Sequence, residues 1–350
     1  MSAVDGDRQV HLFGAKLRAL VRGRWPGAAD RGRVGTFLGG ASLATDDAKV
    51  DGDHVGWVLV GEGGGRRLGA ALAWAHQRGV AELHVLADRM DDAGVLARRA
   101  AYFARAPRVW QITGRTLAPA EPASASEAAV PPPEAELYRL LLQQAGVEVA
   151  VEGGELLAEV QGLEVARVVP DKAGGARLDV GVGRFDREAF AMMNADLPDA
   201  DALAKAAGVV RQHRRPGAAR HPLNQLVPER WLRALLIAEP ERIGATGLVP
   251  VESALRRRNL RDTAPASTVG TALDTQPVVV TCSVGVDLEL VPTAADDRAL
   301  HSPDARLVLV VPERDAVPVT RALAAALARP ADVVTVSGDW NRDLRASPQR

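Results

Sequence analysis

From Val55 onward the chain alternates short apolar runs with amphipathic stretches of about ten residues, the pattern of a largely parallel sheet covered by helices. Residues 56–60 read as a strand. Residues 66–78 read as a helix with Leu68, Leu72 and Ala75 on one side. A strand over 82–87, a helix over 93–105 and a strand over 109–112 complete the unit. The same pattern returns near the C-terminus: strands at 278–281, 286–291 and 306–311, a helix at 319–328 and a strand at 333–336. Ala81-Glu-Leu-His-Val-Leu-Ala-Asp resembles Ala305-Arg-Leu-Val-Leu-Val-Val-Pro, and each is followed by a helix and another strand. This allows either a distant internal repeat or two generic strand–helix–strand pieces.

Between these units the period changes. Residues 134–145 read as a helix. Strands at 147–151, 156–160, 163–169 and 177–182 follow, with Gly153-Gly154 and Gln161-Gly162 as turn signals. That spacing favours an antiparallel meander. Helices follow at 186–194, 200–213 and 229–238. The expected fold class is therefore α/β with an α+β centre: strand–helix alternating units flanking a central helix-plus-meander domain. The expected organisation is an N-terminal helix and loop over 1–54, an α/β unit over 55–116 and a Pro/Ala linker over 117–133. The central domain with its helical tail spans 134–248, a second linker 249–275, the C-terminal α/β unit 276–338 and a polar tail 339–350.

Composition narrows the function classes. The formal net charge of the 350 residues is -1, so no global field draws the chain to nucleic acid or membrane. Cys282 is the sole cysteine, which excludes an intrachain disulfide and a cysteine-based zinc site. No apolar run approaches the ~20 residues of a membrane span, and the start lacks the apolar core of a signal peptide. The expected location is the cytoplasm, without a membrane partner. No Gly-x-Ser-x-Gly elbow and no HExxH pair is present. Trp57, Trp74, Trp110 and Trp231 lie in apolar patterns and read as core.

A glycine-rich segment, Gly61-Glu-Gly63-Gly-Gly65-Arg66-Arg-Leu-Gly69, follows a strand and opens a helix. Backbone N–H groups there suit an anion, so Gly61, Gly63, Gly65 and Arg66 are candidate nucleotide-binding residues. The spacing misses the dinucleotide fingerprint, and the Lys-Ser/Thr of a P-loop is absent.

The central domain carries the sharpest pattern. A helix with Glu134 and Glu136 precedes strands bearing Glu155, Glu159, Glu164 and Asp179, and a helix follows. This order resembles the core of restriction-endonuclease-like proteins, the PD-(D/E)XK superfamily. The resemblance implies Glu136 as the helix acid and Glu164 and Asp179 as metal-binding acids. Mg2+ is the implied cofactor, preparing water to attack a phosphodiester. Gly181 stands where the family has lysine. Arg184 could replace that lysine only as a positive charge, since arginine does not shuttle a proton. The lone acidic-x-Lys elsewhere is Asp47-Ala-Lys49. The competing reading of these acids is the wet face of a half-exposed meander. Asp287 and Glu289, two apart, read the same two ways.

Two basic clusters, Arg211, His213, Arg214 and Arg215, and Arg256, Arg257 and Arg258, fall beside prolines in loops or linkers. Arginine-rich loops can grip phosphates or form a solvated face. The expectation is a nucleic-acid-associated protein on a degenerate nuclease-like centre, weak or inactive as a catalyst. The alternatives are a non-catalytic protein-interaction or assembly protein with a protein partner, and a nucleotide-binding enzyme using Gly61–Gly69.

Overall fold

In the computed structural model, residues 3–38, 40–45, 54–61, 63–125, 129–194, 196–219, 221–257 and 259–342 are described. Strand–helix alternation builds two sheets of one topology, and the meander forms a third. The chain divides into two units. The first comprises Met1–Ala125, Leu288–Asp296 and Pro318–Ala331, the second Ser126–Asp287, Asp297–Val317 and Asp332–Arg350.

The N-terminal elements are α1 (Ala3–Arg24), α2 (Pro26–Arg31), β1 (Gly32–Phe37), β2 (Gly40–Thr45), β3 (Val55–Val60), α3 (Leu68–Arg78), β4 (Glu82–Ala87), α4 (Met90–Ala100), β5 (Arg108–Thr113) and β6 (Thr116–Pro119). The strands lie in chain order; β1–β2–β3 are antiparallel, β3–β4–β5 parallel, and β6 returns antiparallel. Within the segment expected as N-terminal helix and loop, the chain forms α2 and the β1–β2 hairpin instead of loop, while residues 46–53 lie outside the described residues. Glycine-rich, weakly periodic sequence hides an edge hairpin whose contribution to the buried cluster, Ala41 and Leu43, comes from one strand. Leu17, Leu20 and Val21 of α1 pack there against Leu43, Trp57, Leu59 and Trp110. His84 accepts the Trp110 indole N–H at 2.9 Å. Burial, then Arg108 and Arg24, pushes its pKa down to about 4, so the ring is neutral.

The central elements are α5 (Pro133–Glu136), α6 (Arg139–Gln144), β7 (Glu148–Glu152), β8 (Glu155–Val160), β9 (Leu163–Pro170), β10 (Ala176–Val180), α7 (Gly183–Met193), α8 (Asp199–His213) and α9 (Pro228–Ala238). The four strands form the expected antiparallel meander, ordered β10-β9-β8-β7. The remainder is β11 (Ala245–Val251), β12 (Ala266–Ala272), β13 (Pro277–Cys282), α10 (Leu290–His301), β14 (Arg306–Pro312), α11 (Pro318–Ala325) and β15 (Asp332–Val336). The expected linker at 249–275 thus supplies strands, and the expected strand at 286–291 is a loop entering α10. Leu-Glu-Leu alternation before a proline admits either state; Pro292 in the first turn of α10 fits a helix start.

Strands β11 to β15 repeat the order and pairing senses of β1 to β5: antiparallel, antiparallel, parallel, parallel. Val55 pairs with Glu82, and Val278 pairs with Arg306, so the two similar sequence segments occupy the same strand of each sheet. Within the first unit Phe103 bridges Leu327. Ala104 N–H donates to Ala326 C=O at 3.0 Å and Ala328 N–H to Tyr102 C=O at 2.9 Å. These residues stand equally far along the chain from Glu82 and Arg306, so the exchange joins equivalent positions.

Candidate functional site

Strand alternation gives the meander an apolar and a polar face. Leu156, Ala158, Val160, Val168 and Val180 pack with Ala135 and Leu142 of the preceding helices and with Leu203, Ala207 and Val210 of α8. Cross-strand partners share a face. Arg167 lies opposite Leu157 and Asp179, Glu159 opposite Glu164, and Glu152 opposite Glu155. Glutamates from three strands therefore crowd one surface.

Each is met by arginine. Arg167 binds both oxygens of Glu164, at 3.0 and 2.9 Å, and reaches Glu155 at 2.6 Å. Arg187 of α7 adds a contact to Glu164 at 2.5 Å, and Glu164 is only 4% exposed. Glu159, 1% exposed, accepts from Arg230 at 2.8 Å and Arg233 at 2.7 Å, both on α9. Burial alone would raise the Glu159 carboxyl; Arg233 and Arg230 reverse this and hold it below the ordinary value. Arg230 also reaches Glu152 at 2.8 Å. The opposite flank of α9 packs Trp231, Leu232 and Leu236 on the β11–β15 sheet, so this helix joins both sheets of the second unit.

The three proposed nuclease acids are not brought together. Glu164 and Asp179 share the polar face, with Arg167 between them in register. Glu136 rides on α5, whose Ala135 packs on the apolar face, and it pairs with Arg139 at 2.6 Å. That hydrogen bond holds the Glu136 carboxyl below its usual range. Asp179 pairs with Arg177 at 2.8 Å. At Gly181 (φ 135°) a Cβ would stand 2.8 Å from the Arg187 backbone nitrogen, so the position leaves no room for the family's lysine. Arg184 lies on α7, and its side chain is outside the described residues, as are Asp47 and Lys49. Among the described residues no group of three His, Cys, Asp or Glu is placed to hold a metal. Glu164 and Asp179 do not fit Mg2+: guanidinium groups already engage both oxygens of Glu164.

Each basic cluster buries one arginine, Arg214 and Arg257, and leaves Arg211, Arg215 and Arg256 at the surface. Arg214 is 1% exposed, donates to Gln161 C=O at 2.8 Å and to Leu226 C=O, and lies 5.0 Å over the Trp231 ring. Burial lowers its pKa to about 10, which leaves it charged at neutral pH. Arg211 donates to Ala145 and Gly146 carbonyls at the end of α6. Arg257 binds Glu229 at 3.0 Å and Arg256 binds Glu252 at 2.9 Å. Arg258 lies outside the described residues. Arg215 is exposed, near His213, whose ring stacks on His221 at 3.6 Å.

The glycine loop shows the same economy. Gly65 N–H donates to Asp92 at 2.9 Å, and Gly69 N–H, at the start of α3, donates to Glu289 at 2.7 Å. A Cβ on Gly69 would stand 1.8 Å from Leu288 C=O, and one on Gly64 2.8 Å from Val60. Close packing thus accounts for these glycines. Gly61 directly follows β3 and Gly63 is left-handed (φ 70°); Arg66 ends the short helical turn after it. The second topological repeat uses the same device: Gly285 N–H donates to Asp315 at 2.7 Å. Gly69→Ala is expected to lower stability by about 1–3 kcal/mol through overpacking, read as a lower thermal midpoint; an unchanged midpoint would refute the packing role.

None of Arg167, Arg187, Arg230 and Arg233 is singled out in the sequence, while Glu289, a paired-carboxylate candidate with Asp287, proves to accept from the Gly69 N–H instead. Only one signal was available: Arg230 and Arg233 stand three apart on one helix, spaced to face a row of acids. Comparison with known proteins returns no matching family model, no matching curated protein and no matching solved structure.

Proposed function

We propose that this is a non-catalytic interaction or assembly protein whose central meander is a degenerate nuclease-like centre. The observation that carries the reading is Glu164. Metal chemistry needs open carboxylate oxygens, and both of its oxygens are held by Arg167, with Arg187 beside them. The loop positions where a nucleotide phosphate would seek N–H donors are taken by Asp92 and Glu289, whose charges repel an incoming anion.

Millimolar Mg2+ or Mn2+ should leave the thermal midpoint unmoved, and quenched-fluorophore DNA and RNA substrates should not be cleaved with either ion. Metal-dependent cleavage, or a saturable metal-induced rise in midpoint, would refute the reading. Nucleic-acid association keeps one specific observation, the exposed Arg215 near the stacked His213 and His221. A duplex gel shift at low salt, abolished by Arg215→Ala, would favour it.

A further inference from the structure

We propose that the cleft between β10, α7 and α8 is a docking groove for a basic amphipathic helix of a partner protein. This deepens the reading of the chain as an interaction protein and rests on it. The cleft measures about 460 Å³, within the range that holds a ligand or several side chains. Its apolar surface comes from Leu178 and Val180 of β10, Phe190 and Ala191 of α7, and Leu197 and Ala202 at the entry to α8. Two helices wall it, the arrangement into which a third helix lays its apolar stripe.

The charge around the cleft selects the occupant. Residues 179–205 carry six carboxylates against three cations. The two arginines that line the cleft pair with carboxylates, Arg177 with Asp179 at 2.8 Å and Arg187 with Glu164 at 2.5 Å, so these four groups cancel and the acidic excess rests on the other carboxylates of the segment. Asp199 lines the opening, while Asp186, Asp196 and Asp201 stand exposed on the same segment. An apolar strip in a mixed lining that includes Glu188 and Asp199, set in an acidic segment, complements a helix with lysine or arginine flanking its apolar face, and the charge steers that partner's approach.

The apolar groups left in water agree. Leu197 of the lining is 39% exposed, and Met192 and Met193, which follow the lining residue Ala191 on α7, are 84% and 76% exposed. Methionine pairs adapt to the shape of an incoming apolar surface, and isolated exposure of two adjacent ones on a short helix leaves burial to be gained on association.

The test uses the full chain and a fluorescein-labelled, Leu/Lys amphipathic helical peptide, followed by anisotropy. Comparison peptides are a scrambled Leu/Lys sequence and a Leu/Glu helix with the same apolar pattern. The Leu/Lys helix should bind saturably, with the other two at least roughly tenfold weaker. Leu197→Gln and Asp199→Asn alter exposed groups and keep a residue suited to the start of α8, so both variants should keep the parent thermal midpoint while weakening the peptide by roughly tenfold or more. Absence of saturable binding overturns the groove. So does equal binding of the scrambled peptide, or unchanged affinity in both folded variants. Metal-dependent nuclease activity, measured separately, bears on the non-catalytic reading alone. A failed peptide without cleavage therefore removes the groove and leaves that reading standing.

Discussion

Glu159→Ala is expected to lower the free energy of unfolding by about 3–5 kcal/mol, measured as a fall in the urea midpoint at neutral pH. The carboxylate is 1% exposed and bonded to two arginines of α9. Its removal leaves Arg233 charged and buried without its partner, whereas Arg230 retains Glu152. The cost arises from the stranded cation more than from the lost attraction. Added salt should not rescue the variant, since buried charges are poorly screened. A useful contrast is Asp88→Ala. Its Lys16 pair is shorter still, 2.6 Å, but both side chains are more than 40% exposed, and the loss should stay below about 1 kcal/mol. If Glu159→Ala cost no more than Asp88→Ala, the network would not be what joins α9 to the meander.

Asp297→Asn is expected to change the pH dependence of stability with the opposite sign from acid unfolding. Asp297 is fully buried on α10, accepting from the Ser253 and Ser267 hydroxyls and the Ala254 N–H, with His301 nearby. Burial pushes its pKa up to about 6, and those donors only partly oppose it. Between the ordinary aspartate value and about 6, the folded chain holds a proton that the unfolded chain releases. Stability from this group therefore falls as pH rises through that window, by about 3 kcal/mol in all. Glu159, Asp296 and His84 have depressed values and act in the other direction, losing stability as pH falls. Subtracting the parent curve from the variant curve cancels them. The variant should gain on the parent between pH 4 and 6 and hold that gain above. A flat difference curve would rule out a proton on Asp297.

The α/β class and the meander were legible because both rest on apolar periodicity, which burial enforces. The strands around Trp57, Leu83 and Leu157 were visible for that reason. What was hidden lacked a periodic signal. The β1–β2 hairpin and the β11–β12 pair are glycine-rich or interrupted by proline and polar residues. The acids of the meander were visible as acids, but their state was not. Whether Glu164 meets a metal or a guanidinium depends on Arg187, which reaches it from another element, and on Arg167, whose role follows only from strand register. Gly181 was legible as a departure from the family's pattern; the backbone crowding that requires glycine there was not.

The exchange of Tyr102–Ala104 with Ala326–Ala328 has a consequence for biosynthesis. The first unit is finished by residues that leave the ribosome late. At about 5–20 residues per second, roughly 11–45 s separate the emergence of the two partners. During that interval the α3 and α4 surfaces that receive the late segments lack the cover these segments supply. A stop codon upstream of α11 would leave the N-terminal half permanently incomplete.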